Sequence, residues 1–198
     1  MDSLAFTISS GIGTGLISGI VASFVFWYSL THWLVPRIAL SPNLARIQSK
    51  TSLNGRFYQF KIQNLHFGRP AIDIRLQASI YYPDFPRNGT TNLYSIPLDT
   101  VHLMELLPDK EGERRSRRVT LRINDPKFCE IHQSKIFPEN IKNSARERTL
   151  KLEDLLSICD GAFIRVYVAA NDEFSGSRKI FKNEYNLQNL VEGRNFGI

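Results

Sequence analysis

The sequence predicts a mainly β protein, with a single N-terminal transmembrane helix followed by a β-sandwich domain. No formally charged side chain occurs in residues 3–36. Beyond residue 55, apolar and polar residues alternate with a period of two in several short runs, which is typical of strands with one buried face. Turn signals separate these runs at roughly ten-residue spacing, which favours an antiparallel sandwich over a parallel sheet. The 198 residues leave room for one membrane segment and one domain.

The first predicted element is a transmembrane helix over about residues 8–34. The uncharged run exceeds the roughly 20 apolar residues that a membrane-crossing helix needs. The alternative is a cleaved signal peptide, but such a peptide carries positive charge before a shorter apolar core. Here Asp2 is the only charged side chain ahead of the run. Aromatic residues gather at the carboxyl end of the run, as in an interfacial belt: Phe24, Phe26, Trp27, Tyr28 and Trp33.

The basic residues that follow the helix predict its orientation. Arg37, Arg46 and Lys50 come directly after the aromatic residues, and the positive-inside rule then places the remaining chain in the cytoplasm. We expect these three side chains to meet lipid headgroups. The two cysteines, Cys129 and Cys159, fit a reducing compartment. The expected location is therefore the cell inner (plasma) membrane, with a single pass and a cytoplasmic domain.

The remaining chain divides into a linker and one domain. Residues 1–36 are assigned to the transmembrane helix, residues 37–55 to a membrane-proximal linker and residues 56–198 to the β domain. Pro36 and Pro42 support the linker because proline stops a helix. Seven or eight strands are expected, beginning with FYQFKIQNL (57–65) and AIDIRLQASIYY (71–82). Residues 150–158 form the one soluble helix predicted, which ends at Asp160-Gly161.

The last two predicted strands carry a recognisable pattern. Ser175-Gly176 form a turn between them, and the second strand ends in Tyr185. Residues at offsets of five, six, eight and eleven then follow: Leu190, Val191, Gly193 and Phe196. This pattern resembles the end of the cytoplasmic domain of inward-rectifier potassium channels, and the upstream turn at Asn64-Leu65 is similar as well. The resemblance covers most of residues 55–198.

The resemblance implies an immunoglobulin-like β-sandwich, which agrees with the alternation of the residues. It further implies a homotetramer, in which a fourfold ring of cytoplasmic domains gates a pore in response to ligands. The chain departs from that family because it has one predicted transmembrane helix and no filter loop. Potassium selectivity therefore does not follow from the resemblance.

Two adjacent rows of small residues run along the predicted transmembrane helix. At 100° per residue, the hydroxyl row falls within an arc of roughly 80°; it comprises Thr7, Ser10, Thr14 and Ser18. The neighbouring row consists of Gly11, Gly15 and Gly19. Small residues let helices approach closely in lipid, so the glycines are predicted to pack helices together and the hydroxyls to line a pore. The alternative is that the hydroxyls bond carbonyls of their own helix.

A basic segment is the candidate ligand site. The run KEGERRSRR (110–118) brings together four arginines, Arg114, Arg115, Arg117 and Arg118. Repeated around a ring, they could bind a polyanion such as a nucleotide or oligonucleotide. The alternative is a solvated hairpin tip. A second basic cluster, predicted to lie in a loop, comprises Lys135, Lys142, Arg146, Arg148 and Lys151.

Catalytic chemistry is not indicated by the sequence. No nucleophile elbow or paired-carboxylate motif occurs, so we expect no enzyme and no catalytic residues. Cys129 and His132 give a C-x-x-H spacing, but a zinc site needs further ligands, so no metal and no cofactor are expected.

Two classes of function remain open. The first is a homo-oligomeric ion channel or pore effector, gated by an anionic cytoplasmic ligand. Its overall plan is similar to that of the Hailong-type effector of anti-phage defence, although no sequence motif carries this similarity. The second is a membrane-anchored binding or adaptor module without its own pore. An accessory subunit that joins a separate pore-forming chain is a further possibility, and it would explain the missing filter loop. Besides membrane lipids, the expected partners are further copies of the chain and the anionic ligand.

Overall fold

The computed structural model describes residues 2–48, 56–66, 68–83, 94–99, 102–107, 116–123 and 125–197. Helix α1, Asp2–His32, is 31 residues long. Within it, Gly13–Leu30 has a mean hydropathy of 1.4 and is not buried in the structure. The predicted long apolar helix is thus confirmed, and it has the length and composition needed to span a membrane.

The rest of the described chain is mainly β, as the alternation predicts. Ten strands are present in the described residues: β1 Ile38–Leu40, β2 Leu44–Gln48, β3 Arg56–Asn64, β4 Ala71–Tyr82, β5 Tyr94–Pro97, β6 His102–Leu106, β7 Ser116–Leu121, β8 Phe163–Asp172, β9 Arg178–Tyr185 and β10 Leu190–Glu192. The helices that follow α1 are α2 Asp125–Gln133, α3 Glu139–Arg146 and α4 Leu152–Leu156, with a 3₁₀ turn at Leu187–Asn189.

The strands form two five-stranded sheets. In the first sheet, β1, β2 and β7 all pair with β3, and β10 extends the sheet beyond β2. In the second sheet, β4 pairs with β5, β6 and β8, and β9 lies beyond β8. Every pair is antiparallel except β10 with β2, which is parallel.

One hydrophobic core lies between the two sheets and extends under α2, α3 and α4. Phe60 and Ile62 of the first sheet and Ile164 of the second are fully buried in it. Strand β8 alternates between intermediate and buried side chains along its whole length. This is the pattern from which the strand was predicted, because successive side chains point to opposite faces.

The predicted linker needs a correction. Residues 38–48 form β1 and β2, and Ile38 and Leu44 are buried in the core. Pro42 lies in the turn between these strands, where proline is as well suited as it is after a helix. Because β1 begins at Ile38, the β domain starts within a few residues of α1. Residues 49–55 lie outside the described part of the chain.

Two helices were missed by the sequence analysis. Helices α2 and α3 precede the predicted helix, and α3 carries Lys142 and Arg146, which were assigned to a loop. Ile141 and Ala145 are the buried residues of α3 and lie four positions apart. That spacing is helical, but two apolar positions in an eight-residue segment give a weak periodic signal.

Candidate functional site at the end of the apolar helix

Helix α1 joins the β domain without a flexible spacer. The amides of Trp33 and Leu34 both donate to the carbonyl of Ser29, at 2.9 and 3.1 Å, and close the last turn of the helix. The guanidinium of Arg37 donates to the carbonyl of His32 at 3.3 Å. Strand β1 begins at the next residue, so the chain remains hydrogen-bonded from the helix into the first sheet.

Two turns of the β domain hold the end of α1. The Nε2 atom of His66, in the β3–β4 turn, lies 2.9 Å from the carbonyl oxygen of Trp33. A carbonyl can only accept, so Nε2 carries the hydrogen in this contact. The hydroxyl of Ser175, in the β8–β9 turn, donates to the carbonyl of Leu34 at 2.5 Å. Carbonyls at a helix end lack partners within the helix, and both sheets supply them here.

A buried carboxylate orders the β8–β9 turn. Asp172 is 1% exposed, and its Oδ1 atom accepts from the amides of Phe174 and Ser175 at 3.1 and 2.8 Å. The hydroxyl of Ser175 lies 3.0 Å from the same oxygen. Gly176 has a φ of +67°, a conformation that glycine adopts readily. Ser175-Gly176 is therefore a turn, as the sequence predicts, and Asp172 fixes the position of the serine in it.

Asn64 orders the β3–β4 turn in a comparable way. Its side chain is fully buried, and its Nδ2 atom donates to the carbonyls of Arg69 and Leu106 at 2.8 and 3.2 Å. Its Oδ1 atom accepts from the amide of His66 at 2.9 Å. Leu65 lies in this turn, and its amide donates to the carbonyl of Arg37 at 2.7 Å. The turn is thus anchored to β6 on one side and to the residues after α1 on the other.

Apolar side chains are exposed around this junction. Trp33, Leu65 and Phe174 are 66%, 55% and 80% exposed. The guanidinium of Arg69 lies over the ring of Phe174, 5.1 Å from its centroid, which is the distance of a cation–π contact. One nitrogen of that guanidinium, Nη1, is buried and has no acceptor among the described residues.

A polar cluster lies near the junction, at an irregularity of β4. Asp73 has a φ of +46°, which is uncommon for a residue with a side chain. Its carboxylate is 2.8 Å from His102 Nε2 and 3.2 Å from Arg75 Nε, and its other oxygen is 3.3 Å from Asn171 Nδ2. The hydrogen bond from His102, followed by that from Arg75, holds the pKa of Asp73 below its ordinary value. Asp73 and Arg75 lie two positions apart, but His102 and Asn171 are distant in the chain, so no local sequence pattern marks this cluster.

The structure describes part of the predicted pore-lining row. The hydroxyl of Ser18 donates to the carbonyl of Gly15 at 3.0 Å, and that of Ser23 donates to Gly19 at 2.8 Å. The hydroxyl of Ser18 thus has an acceptor within its own helix, as the alternative interpretation predicted. Thr14 also lies on α1. The side chains of Thr7 and Ser10 lie outside the described part.

The glycine row leaves a bare face on α1. A Cβ atom built at Gly15 or Gly19 would meet no atom within 4 Å, and the same holds at Gly13 on the other side of the helix. No other described part of the chain covers this face. The surroundings of Gly11 lie outside the described residues.

The predicted ligand site is only partly described. Arg117 and Arg118 lie on β7 and are exposed, whereas Arg114 and Arg115 fall outside the described residues. Arg118 pairs directly with Lys61 of β3. The two cations therefore face the same side of the sheet, where like charges repel. The ammonium of Lys61 lies over the ring of Phe196, 4.9 Å from its centroid.

Arg46, which was expected to meet lipid, is engaged inside the domain. Its guanidinium pairs with Glu153 of α4 at 2.8 Å and with Glu192 of β10. Tyr58 also donates to the carboxylate of Glu153. Cys129 and His132 both lie on α2, and no group of three potential metal ligands occurs in the described residues.

No family model and no curated protein matches the sequence. Among solved structures, the fold is similar to the sporulation control protein Spo0M from Bacillus subtilis, with a TM-score of 0.36 and 11% identity over 77% of this chain and 49% of that one. The chain thus spans about half the length of Spo0M. It is also similar to the trimeric lipoprotein SadB from Salmonella enterica, with a TM-score of 0.24 and 18% identity over 61% of this chain and 67% of that one. Both scores are low, so neither likeness bears on function.

Proposed function

We propose that the chain is a single-pass membrane effector whose helices assemble into a pore controlled by the β domains. In this proposal α1 crosses the membrane, and the β domain is a cytoplasmic immunoglobulin-like sandwich of the inward-rectifier kind. A ring of these domains binds an anionic ligand and opens or closes the pore. The observation that carries the proposal is the direct bonding of two β turns to the carbonyls of Trp33 and Leu34, the two residues that directly follow α1.

That bonding favours an effector over a passive anchor. A domain on a flexible spacer can rotate without moving its anchor, whereas a domain bonded to the helix end transmits rotation and tilt to the helix. His66 belongs to the turn after β3 of the first sheet, and Ser175 to the turn between β8 and β9 of the second. Rigid-body motion of either sheet would therefore reach α1, which is how domain rotations commonly switch membrane-coupled assemblies.

The bare glycine face supports association of the helices. In lipid, apolar side chains gain little from contact with each other, so helices pack where small residues allow close backbone approach. Gly15 and Gly19 provide such a surface. The hydroxyl row would then lie beside the packed face, close to the axis of the assembly.

The basic strand β7 supports an anionic ligand. Arg118 of β7 and Lys61 of β3 place two cations on one face of the first sheet, and Arg117 adds a third exposed cation on the same strand, directed to the other face. A ring of copies would repeat this group around its axis, and each arginine can make a forked contact with a phosphate. Binding of a polyanion by such contacts weakens as the salt concentration rises.

Conductance measurements test the proposal. The purified full chain is placed in planar bilayers and recorded with and without short single-stranded oligonucleotides. We expect a conductance that the oligonucleotide changes, and a loss of this response when Arg117 and Arg118 are both replaced by alanine. Lys179→Ala, which removes an exposed cation of β9, is the matched control. Absence of conductance under every condition would contradict the proposal that the chain forms a pore.

A second candidate is a membrane-anchored binding module. An open groove of about 510 Å³ lies on the outer face of the second sheet, above the small side chain of Ala169. Arg75, Arg178, Tyr167 and Ile180 line it, so it offers two cations beside apolar surface. The mass of the full chain in detergent separates the candidates. A monomer whose function survives replacement of α1 by a polyleucine span would favour the module.

A further inference from the structure

We propose that the exposed apolar side chains at the junction insert into the bilayer surface from which α1 emerges. The surface consists of Leu65, Arg69 and Phe174 and is called here the rim. The inference rests on the proposed membrane insertion of α1 and adds a second contact with lipid. The β3–β4 and β8–β9 turns thus insert into the lipid–water interface, and their partner is the lipid bilayer.

The hydrogen bonds at the helix end fix where the rim lies. Phe174 directly precedes Ser175, whose hydroxyl is 2.5 Å from the carbonyl of Leu34. Leu65 directly precedes His66, which contacts the carbonyl of Trp33 at 2.9 Å. Each apolar residue is thus adjacent in sequence to a residue that touches the end of α1. If α1 lies in a membrane, neither turn can move away from the membrane surface without breaking these bonds.

The exposure of the rim has no explanation within the described chain. Phe174 is 80% exposed and Leu65 is 55% exposed, although each lies in a turn that buried Asp172 or Asn64 holds in place. A large aromatic side chain at the tip of an ordered turn is unfavourable in water. Aromatic residues are favoured at the boundary between lipid and water, where Trp33 would also lie.

The basic member of the rim fits the headgroup region. Arg69 stacks on Phe174, with its guanidinium 5.1 Å from the centroid of the ring that would enter the lipid. Arg69 is half-buried, and an arginine side chain is a hydrogen-bond donor suited to a lipid phosphate. An arginine beside an apolar wedge is the arrangement expected at this depth, because its stem can lie in the apolar layer while its charge meets the headgroups.

The opposite end of the domain provides a matched control. Strand β8 runs from Ile164, which pairs with Tyr185, to Asn171, which pairs with Arg178 near the rim. The stretch from Ile164 to Asn171 spans roughly 24 Å. Leu187 follows Tyr185 and is 44% exposed, so it is an exposed apolar residue far from α1.

Depth measurements by spin labelling test the inference. The full chain, with Cys129 and Cys159 replaced by serine, is labelled after one further change and reconstituted in phosphatidylcholine–phosphatidylglycerol nanodiscs. The four changes are Phe174→Cys, Leu65→Cys, Leu187→Cys and Val21→Cys, the last being within α1. Relaxation by oxygen, which concentrates in lipid, is compared with relaxation by a water-soluble nickel complex. Circular dichroism confirms that each labelled variant is folded.

The four positions separate the possible results. We expect labels at 21, 65 and 174 to relax more with oxygen, and the label at 187 to relax more with nickel. A lipid-exposed label at 21 together with water-exposed labels at 65 and 174 would overturn the rim while leaving membrane insertion intact. A water-exposed label at 21 would overturn membrane insertion, and the rim with it.

Discussion

Tyr185 donates its phenolic hydrogen to the carbonyl of Ser41 at 2.8 Å, and both residues are fully buried. Ser41 directly follows β1, and Tyr185 ends β9. Asn183 donates to the same carbonyl at 3.0 Å. The hydroxyl of Ser41 in turn accepts from the amide of Lys61 at 3.0 Å. The first turn after α1 is thereby fixed to both sheets, close to the point at which the helix enters the domain.

Tyr185→Phe should lower the free energy of unfolding by about 1 kcal/mol, the usual net contribution of one hydrogen bond. The loss stays modest because the carbonyl of Ser41 keeps its bond from Asn183. Urea unfolding of the full chain in detergent micelles, followed by near-ultraviolet circular dichroism, measures the change. Tyr81→Phe is the control, since that ring stacks on Phe163 at the surface. Equal effects of the two changes would argue against a specific role of the Tyr185 hydroxyl.

Ser175→Ala should loosen the joint between α1 and the domain. The change removes the donor to the Leu34 carbonyl and one contact with Asp172. We expect faster amide hydrogen exchange in the β8–β9 turn and at Leu65, because both turns share the end of α1. Ser157→Ala removes a comparable bond, to the carbonyl of Asp154 at 2.9 Å, and should leave the junction unchanged. Unaltered exchange at the junction in Ser175→Ala would show that the bond does not restrain it.

Glu153 should make stability depend on pH in the acid range. Burial alone raises the pKa of Glu153, but hydrogen bonds from Tyr58 and Arg46 outweigh it and hold the pKa below its ordinary value. The carboxylate therefore stabilises the fold at pH values above the unfolded pKa of about 4.3, and this contribution is lost as the pH falls through the lower, folded pKa.

Glu153→Gln should accordingly destabilise the protein at pH 7, and its difference from the unaltered chain should shrink below about pH 4. Urea titrations at several pH values measure this difference. Glu147→Gln is the control, because that side chain is exposed at the end of α3. A Glu153→Gln difference that stayed constant down to pH 3 would contradict the assigned charge state.

Gly15→Leu should reduce the number of copies in the assembly. A leucine side chain would occupy the bare face and hold neighbouring backbones apart. Gly13→Leu is the matched control, since residues 13 and 15 are separated by about 200° around the helix. Light scattering of the full chain in detergent gives the mass of each variant. If both leucine variants keep the same mass as the unaltered chain, Gly15 does not mediate packing between the helices.

The long elements of the fold were predictable because their patterns repeat many times. Helix α1 has a long uncharged run, β8 alternates over all 10 of its residues, and β4 alternates over much of its 12-residue length. Short elements carry weaker signals. Strand β1 has three residues, and its neighbouring prolines suit a linker as well as a strand. Helix α3 has only two buried apolar positions.

The candidate site could be predicted only where neighbouring residues in the sequence determine the structure. Ser175-Gly176 was recognised as a turn because serine and glycine favour turns, whereas Asn64-Leu65 was assigned to a turn on the resemblance to inward-rectifier channels. Nothing in the sequence links Ser175 to Leu34, which is 141 positions away. Arg46 illustrates the same limit, because its position after an apolar helix suggests lipid, whereas its partner Glu153 lies 107 positions further on.

Cryo-electron microscopy of the full chain in nanodiscs, viewed along the membrane normal, tests the central claim most directly. The proposal predicts class averages with a closed ring of β domains around a central bundle of α1 helices. The bond between Ser175 and Leu34 would hold each domain at the end of its own helix. Class averages that show one β domain on one helix in every particle would contradict it.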